Sequence, residues 1–198
     1  MMQKVPPLVL KISKIISNCF NPLFSLLLYF LYVTVKFETI ESGLKKFAII
    51  FLVIILPISY WIFRRVKSGK YSDADVSDRE QRKSLYYFII AALILFNVIS
   101  YLVNKKLDSV MLYLLLLLFL MQISNFFIKS SMHTALNIFT AALFFSQNHT
   151  FGIIWLLISF LVAVTRIILK KHTPNEVISG AVIAVFVSFL FLNFNSIL

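Results

Sequence analysis

The chain has 198 residues, 60% of them hydrophobic and 14% charged, and its formal net charge is +11. Soluble domains run at roughly 45–50% apolar residues, so the composition excludes water as the main solvent, and the length leaves no room for a second, soluble domain. The basic excess has no folded polar segment to display it, which excludes a nucleic-acid-binding surface, and the lone Cys19 excludes an intramolecular disulfide or a thiolate metal cluster.

In chain order, Val5 to Asn18 sets Leu8, Ile12, Ile15 and Ile16 against Lys11 and Lys14, the pattern of an amphipathic helix lying in the membrane interface, within residues 1–19. No small-residue cleavage site follows, so the segment reads as an anchor and not as a removable signal peptide. Apolar runs follow at about Phe20 to Phe37, Lys46 to Phe63, Ser84 to Val103, Ser109 to Ile128, Ser131 to Phe145, Phe151 to Leu169 and Pro174 to Phe194. The fifth is short for a span. The expectation is an all-α, polytopic transmembrane helix bundle of six or seven spans, forming one integral membrane domain over 1–198. Pro57, inside the second run, predicts a kink.

The one substantial polar loop is 64–83, RRVKSGKYSDADVSDREQRK. Two predicted helices separate it from the break at Lys129 to Ser131, and two more separate that break from Arg166 to Thr173, so all three fall on one membrane side. Together they carry Arg79, Arg82, Lys83, Lys129, Ser131, His133, Arg166, His172 and Glu176. These are the groups needed to hold and cleave a phosphate ester: guanidinium and ammonium groups bind the anionic oxygens, one imidazole can attack phosphorus, and a second can protonate the leaving oxygen. Taken singly, each is accounted for by a snorkelling charge or a histidine satisfied by a backbone carbonyl. Their joint placement is the stronger signal.

In TRIILKKHTPNE, Thr173, Pro174 and Glu176 occupy the N-cap, first and third positions of the last helix, so Glu176 completes a capping box. The same cap brings His172 beside a positive helix end with Glu176 near enough to orient its ring, and the two roles are compatible. From Glu176 a spacing of four runs through Gly180, Ala184 and Ser188, a small-residue stripe that permits close approach of a neighbouring helix. In KSSMHTALN, His133, Asn137 and Thr140 share one stripe of the fifth helix, which turns them towards the bundle interior or a wet cavity.

These residues resemble the type 2 phosphatidic acid phosphatases, membrane members of the histidine acid phosphatase superfamily. That family's third motif, Ser-Arg, five residues, His, three residues, Asp, is matched in spacing by Thr165-Arg166, His172 and Glu176. Its second, Pro-Ser-Gly-His, is met by Ser130-Ser131-Met132-His133, which keeps the Ser and the His and lacks Pro and Gly. Its first, Lys, six residues, Arg-Pro, has no fitting pair; Arg79 and Arg82 are the nearest counterparts.

The resemblance covers roughly Ser72 to Gly180. It implies an enzyme of the membrane, taken as the bacterial cytoplasmic membrane, in which His172 attacks phosphorus, Glu176 orients His172 and His133 protonates the departing alkoxide. Arg166, Lys129, Ser131 and one or both of Arg79 and Arg82 would hold the phosphate, the substrate would be a lipid phosphomonoester or pyrophosphate reached from the bilayer, and neither metal nor cofactor would be required.

Two other readings stay open at this point. Asp73, Asp75 and Asp78 suit a Mg²⁺-dependent prenyl or phosphatidyl transferase, and a non-catalytic membrane protein would explain the departures from the first two motifs. His149, in the turn Gln147 to Thr150 on the opposite side, reads as a solvated interfacial residue. Basic residues concentrate on the side of the three loops, counting Lys4, Lys11 and Lys14 there and leaving Lys36, Lys45, Lys46, Lys105 and Lys106 on the opposite side, which has only short turns such as that near Glu38. The positive-inside rule turns that side to the cytoplasm, whereas members of the family usually face outward, and the side stays open.

Overall fold

A computed structural model of the chain describes residues 5–37 and 40–194; Lys4 and Glu38, which enter the charge reading above, lie outside them. Among the described residues every regular element is a helix: α1 (Pro7–Cys19), α2 (Pro22–Phe37), α3 (Ile40–Ile50), a π turn (Phe51–Ile55), α4 (Leu56–Lys67), α5 (Arg79–Asn104), α6 (Ser109–Ser124), α7 (Met132–Gln147), α8 (His149–Ile168) and α9 (Pro174–Phe194).

Among the described residues four stretches are long and apolar enough to cross a membrane: Gly43–Lys67, Arg79–Val103, His149–Ile168 and Pro174–Phe194. α1 and α2 pass the same test as a pair bent by 49°, which raises the number to five. α6 and α7 have 16 residues each, about 24 Å of helix against a hydrocarbon core of about 30 Å. α6 stops short of the expected Ile128 because the backbone tightens into turns after Ser124, the Phe126 N–H donating to Ile123 O at 3.1 Å and the Phe127 N–H to Ser124 O at 2.9 Å. The outward side chains are as apolar as the inward ones: Leu157, Phe160 and Val182 are 63%, 68% and 63% exposed. Exposed apolar surface on this scale needs lipid as its solvent, and the chain is a membrane protein.

The expected kink at Pro57 takes another form. Proline lacks an N–H and its ring crowds the carbonyl four residues back, and the helix answers with the π turn Phe51–Ile55 directly ahead of it, so that Gly43–Lys67 runs as one helix.

The chain forms two units. The first comprises Met1–Tyr29 and Ile128–Leu192. α7 is its centre, with Ala135, Phe139 and Leu143 fully buried. It packs along α8, closely at the hairpin, where a Cβ on Gly152 would stand 2.5 Å from Phe145 Cα. Phe139 meets Phe191 of α9 edge-on at 5.8 Å, and Trp155 of α8 meets both Phe144 at 4.7 Å and Phe20 at 5.8 Å.

α1, the segment expected to be an interfacial amphipathic helix, is helical over Pro7–Cys19. It packs on α8, burying Ser13 and Ser17 while Leu8, Ile12 and Ile15 face outward. Its small polar face is turned to protein and its apolar face to lipid. The break before α2 is built by Asn21, whose Oδ1 accepts the Phe24 N–H at 3.0 Å, with Pro22 at the first helical position.

The second unit comprises Phe30–Phe127 and Asn193–Leu198. α5 packs on α6 and α4; Trp61 of α4 stacks on Phe88 of α5 at 4.4 Å. Asp78 caps α5 and Asp108 caps α6, each accepting a backbone N–H at 3.0 Å.

Candidate functional site

The turn between α8 and α9 follows from how α8 ends. Lys170 takes a left-handed φ of 54°, which lets its N–H reach Ile167 O at 2.9 Å and the Lys171 N–H reach Arg166 O at 3.0 Å. This is the Schellman arrangement. The His172 N–H also points to Arg166 O, at 3.3 Å, so the backbone of Arg166 holds the approach to His172.

α9 then opens with the capping box that the spacing implies. Glu176 N–H donates to Thr173 Oγ1 at 3.4 Å, and the Thr173 N–H donates to Glu176 Oε2 at 3.0 Å. The same Oε2 lies 2.9 Å from His172 Nδ1, and the His172 side chain is fully buried. One carboxylate oxygen therefore caps the helix and fixes the imidazole, as the sequence allowed. Lys129 Nζ stands 3.9 Å from that oxygen, too far for a hydrogen bond but near enough for charge attraction, and donates to Lys171 O at 3.2 Å.

α7 starts against this turn. The Ser131 N–H donates to Glu176 O at 2.9 Å, and Ser130 and Ser179 share a hydroxyl bond of 2.7 Å. The contact requires glycine at 180, since a Cβ there would stand 2.7 Å from Ser131 O. Ser131 Oγ caps α7, accepting from the Thr134 N–H at 3.4 Å and the Thr134 hydroxyl at 3.0 Å, and places His133, 7% exposed, in the first turn. Two of the three loops expected to meet, 129–131 and 166–173, are thus joined by backbone and side-chain bonds.

Arg166 is 1% exposed, and its Nη1 donates to Ser17 Oγ at 2.9 Å. Ser17 was not among the expected site residues, and nothing in its local sequence marks it. The expected stripe of α7 divides in its duties: Asn137 accepts from Ser25 Oγ at 2.8 Å and donates to Phe20 O at 2.9 Å, pinning the α1–α2 break, and Thr140 donates to Leu136 O at 2.8 Å within its own helix.

Arg79 and Arg82 belong to the second unit. Arg79 donates Nε to Asn125 O at 2.7 Å and Nη2 to Phe126 O, and Asn125 Nδ2 returns a bond to Arg79 O at 3.2 Å. It clamps the end of α6 to the start of α5. Arg82, 2% exposed, donates Nε to Val76 O at 2.8 Å, holding the loop residue Val76 at a φ of 48°. The aspartates of that loop work locally: Asp73 Oδ1 accepts the Ser77 N–H at 3.1 Å, and Asp78 is the α5 cap. Among the described residues no three of His, Cys, Asp and Glu converge as metal ligands would. His149 opens α8, exposed, with its ring 4.6 Å from that of Phe145.

In chemical terms the first unit brings together an imidazole oriented through Nδ1 by a carboxylate, a second buried imidazole at a helix start, two helix N-termini, a lysine and a buried arginine. Compared with protein-family models, with curated proteins and with solved structures, the chain matches none.

Proposed function

We propose that the chain is a membrane phosphatase acting on a lipid phosphate. The observation that carries this reading is the bond of 2.9 Å between His172 Nδ1 and Glu176 Oε2, at a turn to which Ser131 ties the start of α7. With Nδ1 held, Nε2 is the attacking nitrogen. It forms the N–P bond as the bond from phosphorus to the lipid oxygen breaks, and His133 supplies the proton that the departing alkoxide takes up. Water then attacks the phosphohistidine, giving its proton back to His133 and releasing phosphate and His172. Glu176 stabilises the imidazole as charge develops on it. Lys129, Arg166 and the N–H groups that open α7 and α9 supply positive potential for the phosphoryl oxygens, with Ser131 beside them.

The test is phosphate release by purified protein from phosphatidate, phosphatidylglycerophosphate, polyprenyl pyrophosphate and lipid A phosphate, with and without EDTA. Release from at least one, surviving EDTA, is expected. His172→Ala should lower it by about 10⁴-fold or more, and His133→Ala by about 10²–10⁴-fold. Release from none, or release untouched by both substitutions, would overturn the reading; loss with EDTA would overturn its metal-independent mechanism.

A further inference from the structure

The second unit contains a cavity of about 290 Å³ at the end of α4, lined by Tyr60, Trp61, Arg64, Arg65, Ser68 and Lys70. Its chemistry is separate from the histidine site. The wall is a fixed aromatic surface: Trp61 stacks on Phe88 at 4.4 Å and its indole N–H donates to Tyr71 Oη at 3.1 Å, while Tyr71 Oη shares a bond of 2.8 Å with Ser84 Oγ. The Arg65 guanidinium lies over the Trp61 ring at 4.3 Å, held by a cation–π contact. Lys70 is brought back to the cavity by the turn after α4, in which its N–H donates to Arg65 O at 2.9 Å. Among the described residues no carboxylate lies within ion-pairing distance of Arg64, Arg65 or Lys70. Three cations therefore surround one cavity.

The position of the cavity identifies the ligand. α4 is the last part of the candidate span Gly43–Lys67, so the basic rim stands at the level of lipid headgroups, with Tyr60 and Trp61 where aromatic residues meet the interface. Below it, on the same helix, Leu56, Tyr60 and Phe63 are 49%, 57% and 61% exposed. A phosphate held by the rim leaves acyl chains to lie on that apolar flank, an amphiphilic fit that a free phosphate ion does not use. We propose that this cavity is a binding site for an anionic phospholipid, its headgroup phosphate among Arg64, Arg65 and Lys70.

Trp61 and Trp155 are the two tryptophans of the chain, so Trp155→Phe leaves Trp61 as the reporter. In neutral detergent, quenching by brominated phosphatidylglycerol is expected at mole fractions about tenfold or more below those needed for brominated phosphatidylcholine. The pair Arg65→Gln and Lys70→Gln together should raise the phosphatidylglycerol midpoint by about 30-fold, at roughly a headgroup attraction per basic residue lost. Lys67→Gln, an exposed charge on the same turn that does not line the cavity, should shift it by no more than about fivefold, the general surface attraction of one charge. Native mass spectrometry of the unsubstituted chain should show phosphatidylglycerol retained where phosphatidylcholine is lost, which keeps the test independent of Trp155→Phe. Equal midpoints for the two lipids, an effect of Lys67→Gln as large as that of the Arg65→Gln and Lys70→Gln pair, or protection of Trp61 by inorganic phosphate without any lipid preference would overturn the proposal.

Discussion

Ser17 and Arg166, 149 positions apart, share a hydrogen bond of 2.9 Å between buried side chains. The bond ties α1 to the last turn of α8 and gives a desolvated guanidinium one of its acceptors. Ser17→Ala removes that acceptor, and the penalty for a buried charged donor that loses its partner is about 1–3 kcal/mol. The expected outcome is a lower Tm in detergent and, if Arg166 holds phosphate, a raised KM for the lipid substrate. An unchanged Tm would show that the bond contributes nothing.

Glu176 combines two functions that substitution can separate. Glu176→Gln keeps an oxygen for the Thr173 N–H, so the cap survives, but it removes the charge that faces His172. The Tm should fall by the equivalent of about 0.3–1 kcal/mol, the loss of a negative charge at a helix N-terminus, while phosphate release falls by about 10²–10⁴-fold. Glu176→Ala should lose the cap as well, at a further cost of about 1 kcal/mol. Equal Tm values for the two variants would remove the capping role.

Gly180 lies where α9 meets the start of α7. An alanine there places its Cβ 2.7 Å from Ser131 O and 3.1 Å from Ser131 N. Both are backbone atoms and cannot swing aside, so Gly180→Ala should destabilise the chain by about 1–3 kcal/mol. Two turns along the same stripe, the Ser188 hydroxyl is buried without a hydrogen-bond partner, and Ser188→Ala is expected to be neutral or stabilising by up to about 1 kcal/mol. Thermal unfolding of the two variants side by side checks both.

Lys170 pays for its left-handed backbone, which glycine adopts without the Cβ clash. Lys170→Gly should raise stability by about 1 kcal/mol and leave phosphate release unaltered, since no part of the proposed chemistry uses its side chain. A fall in Tm would mean that the lysine side chain stabilises the turn by more than its backbone strain costs.

The legible parts of this chain are those in which sequence neighbours do the work. Thr173, Pro174 and Glu176 fall within one helical turn, and their capping box and its link to His172 could be read from spacing alone. The long apolar stretches of α5, α8 and α9 were equally plain, because solvent selects for them residue by residue. The break before α2 was marked by Asn21-Pro22, a turn signal that a continuous apolar surround concealed. The serine face of α1 was hidden for a different reason: Ser13 and Ser17 look like breaks in an apolar pattern until α8 is there to receive them. Arg79 was chosen for its charge, whereas its geometry is that of a clamp on the carbonyls of Asn125 and Phe126, a duty set by where α6 happens to end. Local chemistry is written locally, and partners brought together by folding are not.

The first unit is assembled from the two ends of the chain, Met1–Tyr29 and Ile128–Leu192, with residues 30–127 between them. During synthesis α1 emerges early, but α8, which receives its serines, is made only after that intervening stretch. From Ser17 to Arg166 the chain grows by 149 residues, a delay on the order of 7–30 s at about 5–20 residues per second. For that interval Ser13 and Ser17 have no helix to face, and the N-terminal segment must wait in or beside the bilayer for its counterpart. A ribosome stalled before Arg166 would therefore leave residues 30–127 of the second unit made and the first unit as two fragments, without the α8 arginine that Ser17 pairs with.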